Sequence, residues 1–134
     1  MAKLEYVEGI AEKYADKLRE AGATSTDKLL EMGSTPKGRA ELAEKAGISE
    51  KLILEWVNHV DLFRIKGVGQ EYADLLEEAG VDTVPELAQR NAENLYAKMV
   101  EVNEAKKLVR VLPTQEDVSD WVAQAKQLPR VIQY

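Results

Sequence analysis

Apolar positions recur at helical spacing along nearly the whole chain, and glycine, proline and small polar residues interrupt them. From Gln70 onward, Tyr72, Ala73, Leu75, Leu76 and Ala79 fall on one broad side of a predicted helix. Gly80 then stands where a left-handed cap is expected, with Val81 covering the last turn. Thr83-Val84-Pro85-Glu86 predicts a capping box for the next helix, with Pro85 in the first turn, where its missing N–H does no harm. Just before Gln70 stands Gly67-Val68-Gly69. Two glycines around one apolar residue predict a tight hairpin whose backbone uses conformations that a Cβ forbids and that another molecule can approach closely.

An earlier stretch repeats this pattern. A shift of 58 positions places Gly9 on Gly67, Tyr14 on Tyr72, Ala15 on Ala73, Leu18 on Leu76, Ala21 on Ala79 and Gly22 on Gly80. Register kept over such a span predicts an internal repeat. Ala11 stands where the second hairpin glycine would be, and the expectation is that it makes the turn costlier and this copy structural.

The remaining segments also read as helices. Ser25 or Thr26 is expected to cap a helix through Met32. Further helices are predicted from about Lys37 to Ala46, then after Ser49 with Leu52, Ile53, Trp56, Val57 and Val60 inward. Beyond a helix near Pro85–Gln89, Asn91 is expected to cap one carrying Leu95, Met99 and Val102. Asn103 is read as the start of a short helix holding Lys106, Lys107, Leu108, Arg110 and Val111. Thr114 caps a last helix with Val118, Trp121, Val122 and Ala125, and Trp121 is given the packing role that Trp56 has in the other half. The ending from Leu128 to Tyr134 should be extended and laid back on the core rather than offered to a partner.

The Gly67-Val68-Gly69 turn resembles the helix-hairpin-helix motif, with Ala73 and Leu76 as buried positions of its second helix. The whole chain resembles a family of small bacterial proteins of unknown function built from such repeats. The resemblance implies hairpin amides that hold the DNA backbone, often without sequence preference, with Val68 as a core plug. The predicted fold is all-α: two pseudo-symmetric helix-hairpin-helix units braced by additional helices. Residues 1–61 would form the first, degenerate unit and 62–134 the second, packed as one compact body.

Composition bounds the function. The 134 residues are 45% hydrophobic and 31% charged, enough for one substantial core. The absence of cysteine excludes disulfides, thiolate metal sites and thiol nucleophiles. Neither a signal segment nor a membrane span is recognisable, so a cytoplasmic protein with no membrane partner is expected. The net charge of −6 weighs against strong nucleic-acid binding. Local charge differs, however: Arg64 and Lys66 stand beside the second hairpin without an acidic neighbour through Gln70, whereas Glu8 and Glu12 flank the first. A hairpin that presents N–H groups at a helix start favours an anion such as phosphate. The expected contacts to duplex DNA are therefore Arg64, Lys66, Gly67, Val68 and Gly69, with Lys106, Lys107 and Arg110 adding charge. The acids Glu71, Asp74, Glu77 and Glu78 behind the hairpin oppose this.

Other constellations are weaker. His59, the single histidine, has Asp61 near it but no second ligand at a recognisable spacing, which favours a packing or helix-end role. The Glu41–Val57 stretch superficially resembles a helix-turn-helix, yet Glu50, Lys51 and Glu55 would make a poor reading face. No triad order, phosphate loop or dinucleotide fingerprint is present, so no enzyme, cofactor or metal is expected. The alternative to a DNA-binding module is a protein-interaction adaptor.

Overall fold

The computed structural model describes residues 3–134. Among them the architecture is all-helical with no strand. A single 3-10 turn, Leu4–Tyr6, precedes α1 (Glu12–Glu20), α2 (Thr26–Met32), α3 (Pro36–Ala46), α4 (Glu50–Leu62), α5 (Gln70–Glu78), α6 (Val84–Ala88), α7 (Ala92–Lys106) and α8 (Gln115–Gln127). Among the described residues, no helix is long and apolar enough to cross a membrane.

The chain divides into two units, Met1–Asp61 with Val131–Tyr134, and Leu62–Arg130. The boundary falls in the last turn of α4, whose Leu62 already belongs to the second core. In the first unit α3 packs against α1 and α2, and Leu4, Leu18, Leu29, Leu42 and Ile53 are fully buried. In the second unit α8 packs on α6 and α7, and α5 packs on α7. That core gathers Ile65, Leu75, Leu76, Leu87, Leu95 and Met99, all at most 1% exposed.

Local signals place most helix ends. Ser25, Thr35, Asn91 and Thr114 each accept a backbone N–H three residues on, which satisfies one of the orphan donors of a first turn. Thr114 and Asp117 complete a reciprocal capping box. After α5, Gly80 adopts φ +99°, its amide donates to the Glu77 carbonyl, and the Val81 amide reaches the Leu76 carbonyl. These two bonds form a Schellman cap. After α1, Gly22 and Ala23 make the same pair of bonds to Arg19 and Leu18.

Two local expectations fail. No helix starts at Asn103: α7 runs unbroken to Lys106, because nothing between lacks an amide or demands a left-handed backbone. The break comes at Lys107, in the left-handed region at φ 52°, so Leu108, Arg110 and Val111 lie in a loop. The Asn103 side chain holds that loop, accepting from the Val109 amide at 3.0 Å and donating to the Val109 carbonyl at 3.3 Å. Thr83 precedes α6 without capping it through its side chain, and Glu86 receives the Asp82 amide instead, at 2.8 Å.

That arrangement leaves Asp82 in an unfavourable setting. Partial burial, then the nearby Glu86 and Glu77 carboxylates, push its carboxyl above the ordinary aspartate value. The protonated form is therefore favoured by folding, and the charged form costs stability as pH rises past the ordinary value. Asp82→Asn should raise the melting temperature at pH 7. Its advantage should shrink as pH falls towards the ordinary aspartate value of about 4, where wild-type Asp82 in the folded protein is already largely neutral. Melting curves at both pH values check this, and a gain that persists at low pH refutes it.

The C-terminal segment docks on the first unit. Ile132 is 2% exposed, the Gln133 amide donates to the Ser34 carbonyl at 2.6 Å, and the Tyr134 hydroxyl donates to the Asn58 side chain at 3.0 Å. Arg39, buried, bridges the Gly33 and Gln133 carbonyls at 2.9 Å each and lies 5.9 Å from the centre of the Tyr134 ring. Apolar burial and satisfied backbone groups explain why this β-branched ending is not left in water.

Candidate nucleic-acid interface

The second hairpin is built by two tight turns. The Ile65 amide donates to the Leu62 carbonyl and the Val68 amide to the Ile65 carbonyl, each at 3.1 Å. Val68 is buried as the expected plug, while Lys66 and Gly67 are exposed. Only one of the two glycines uses a conformation special to glycine. Gly67 has φ +95°, whereas Gly69 lies at φ −104°, ψ −162°, an extended backbone that any residue adopts. A Cβ on Gly67 would also stand 3.0 Å from Nε1 of Trp121, whose buried ring is 5.3 Å from that of Tyr72.

The first hairpin, taken within its own unit, is built alike. Val7 and Ile10 amides donate to the Leu4 and Val7 carbonyls, Gly9 has φ +92°, and its Cβ would meet Trp56 Nε1 at 3.2 Å. Ala11 sits at φ −77°, ψ 171°. The expected penalty for alanine there does not arise, since the turn demands nothing unusual at that position.

What the second hairpin offers a ligand depends on which donors are already engaged. The Lys66 peptide is taken on both sides by Gln124 of α8, which accepts its N–H at 2.9 Å and donates to its carbonyl at 3.1 Å. Asp120 accepts from the same side-chain amide at 2.9 Å, fixing which end is the donor. Amides of Gly67 and Gly69 find no acceptor among the described residues. They stand at the mouth of α5, where the helix dipole favours negative charge. Gln124 was not foreseeable: it lies 58 residues from its partner, and a half-buried glutamine carries no spacing signal.

The cations predicted to serve this hairpin are dispersed. Lys66 stays exposed beside the turn, but Arg64 is partly buried and donates to the Pro129 carbonyl at 2.6 Å. Lys106 pairs with Glu78 at 2.7 Å, at the opposite end of α5 from the hairpin. Eight residues of helix separate those ends, about 12 Å. Lys107 terminates α7, and Arg110 is exposed in the loop that Tyr72 pins by donating to the Val111 carbonyl at 2.8 Å. Lys66, Gly67 and Gly69 thus come together, while Lys106 and Lys107 do not join them through any direct contact. Two acids press on the same place: Asp120 through Gln124, and Glu71, exposed in the first turn of α5.

His59 and Asp61 are both buried, and no group of three metal-ligating side chains forms among the described residues. Trp56 is buried beneath the first hairpin with its ring 5.2 Å from that of Tyr14. Glu50, Lys51 and Glu55 are exposed on α4, an acidic surface unsuited to a DNA groove.

No curated protein and no solved structure matches this chain. The model of one family, described as Domain of unknown function (DUF4332), matches residues 8–128, and the chain belongs to that family.

Proposed function

We propose that the chain is a non-enzymatic binding module of two helix-hairpin-helix units, and that the second hairpin holds the phosphate backbone of duplex DNA without sequence preference. The observation that carries this reading is the pair of amides, Gly67 and Gly69, that have no acceptor among the described residues and open at a helix start beside exposed Lys66. Like turns at Gly9 and Gly67, each over a tryptophan, support the two-unit reading. The net charge of −6, Asp120 and Glu71 make the expected affinity modest and strongly salt-dependent.

Fluorescence anisotropy with a labelled duplex tests it at several salt concentrations. Binding should appear at low salt, and Lys66→Glu should weaken it and reduce the log–log salt slope by about 0.9, one phosphate contact. Gly69→Asp should also weaken it by placing a carboxylate among the donors. Absence of binding at low salt, or binding indifferent to both changes, overturns the proposal.

One observation favours a second reading, a protein-interaction adaptor. Val111 is 71% exposed in a loop held rigid by Asn103 and Tyr72, an arrangement suited to apolar docking.

A further inference from the structure

We infer that His59 is the latch of the first hairpin, holding the peptide of Glu8 in the way that Gln124 holds the peptide of Lys66. The argument starts from the tryptophans. Trp121 presents Nε1 to the position of a Gly67 Cβ at 3.0 Å, and Trp56 presents Nε1 to that of Gly9 at 3.2 Å. The tyrosine partners repeat the relation, with ring centres 5.3 Å apart for Tyr72–Trp121 and 5.2 Å for Tyr14–Trp56. The same indole edge therefore lies under the same turn glycine in each unit.

Three residues along a helix return to the same face about 4.5 Å higher. Three residues after Trp121 is Gln124, which takes both the N–H and the carbonyl of the residue before Gly67. Three residues after Trp56 is His59, and the residue before Gly9 is Glu8. His59 is 5% exposed, and no buried side-chain nitrogen or oxygen among the described residues lacks a hydrogen-bond partner. Asp61 does not supply the obvious alternative from within the helix, because side chains two residues apart point to diverging faces.

The chemistry differs between the two latches. A glutamine amide is a fork with acceptor and donor side by side, so it meets both main-chain groups of one residue. A neutral imidazole carries its acceptor and donor on separated ring nitrogens, so one ring meets only one of the two. His59 is thus a positioning residue with a single arm, in a hairpin whose plug Ile10 is 2% exposed. The inference is independent of whether the protein binds DNA.

Amide hydrogen exchange of the full chain, resolved at Glu8, tests it. His59→Ala should accelerate exchange there by roughly three- to tenfold, the equivalent of one hydrogen bond. His59→Gln should restore protection to the wild-type level or above, a rescue that general packing at this site does not supply. In the second unit, Gln124→His should accelerate exchange at Lys66 while leaving Glu8 unchanged. The inference is overturned by His59→Gln protecting Glu8 no better than alanine. Unchanged exchange at that amide in His59→Ala overturns it equally.

Discussion

Alanine at Gly67 should destabilise the second unit by about 2–5 kcal/mol, whereas alanine at Gly69 should not. Two effects add at Gly67. Holding a Cβ-bearing residue at φ +95° costs about 1–2 kcal/mol. The new methyl also meets Trp121 Nε1 at 3.0 Å, and forcing such a contact typically costs about 1–3 kcal/mol. The indole cannot simply retreat, since it is 3% exposed and packed against Tyr72. Gly69 is extended, and Ala11 takes a similar extended conformation in the first hairpin. Alanine there restricts the unfolded chain without backbone strain, a change in the stabilising direction of about 0.4–1 kcal/mol. Urea unfolding of the two variants checks the contrast. Equal losses would show that neither backbone conformation nor Trp121 decides the turn.

Arg39→Ala should cost about 3 kcal/mol or more in the first unit. The guanidinium makes two charge-assisted bonds, to the carbonyls of Gly33 and Gln133, and each such bond contributes about 1.5–3 kcal/mol. Its removal also leaves the buried Gly33 carbonyl without that donor. Lysine is a poor replacement, because a single ammonium cannot present the planar fork that spans two acceptors. Truncation after Arg130 removes the buried Ile132 together with Gln133 and Tyr134 and should also destabilise the first unit, although Arg39 keeps its bond to Gly33. The combined variant should lose clearly less than the two separate losses added together, because the Arg39–Gln133 bond is counted in both. Thermal unfolding of the four proteins gives the coupling, and strict additivity would dissociate Arg39 from the tail.

Several helix ends were readable because the signal and its partner lie within five residues. Ser25, Asn91, Thr114 and Gly80 act through neighbours in sequence, so residue type and spacing suffice. Asn103 misled for the converse reason. A residue type common at helix starts here points its side chain at Val109 across a loop whose path the local pattern does not contain. Thr83 misled because the acid that should close its box reached Asp82 instead.

The candidate site divides along the same line. Gly67, the Val68 plug and the opening of α5 follow from chain order, because a hairpin brings together residues already adjacent. The commitments of the surrounding polar groups do not. Gln124 engages Lys66, Pro129 engages Arg64, and Glu78 engages Lys106, from 58, 65 and 28 residues away. Adding nearby charges along the sequence therefore overstated the positive field available at the hairpin.

By itself the sequence determined that this chain is helical, where most of its helices start and stop, and that one turn glycine in each half precedes a helix. These are properties of backbone conformation and short-range capping. Only the tertiary structure decided that the last four residues belong to the first unit, that each tryptophan lies under its turn glycine, and which hairpin amides stay open. Those outcomes depend on which distant groups meet, and burial and hydrogen-bond satisfaction select among partners that spacing along a chain leaves equivalent.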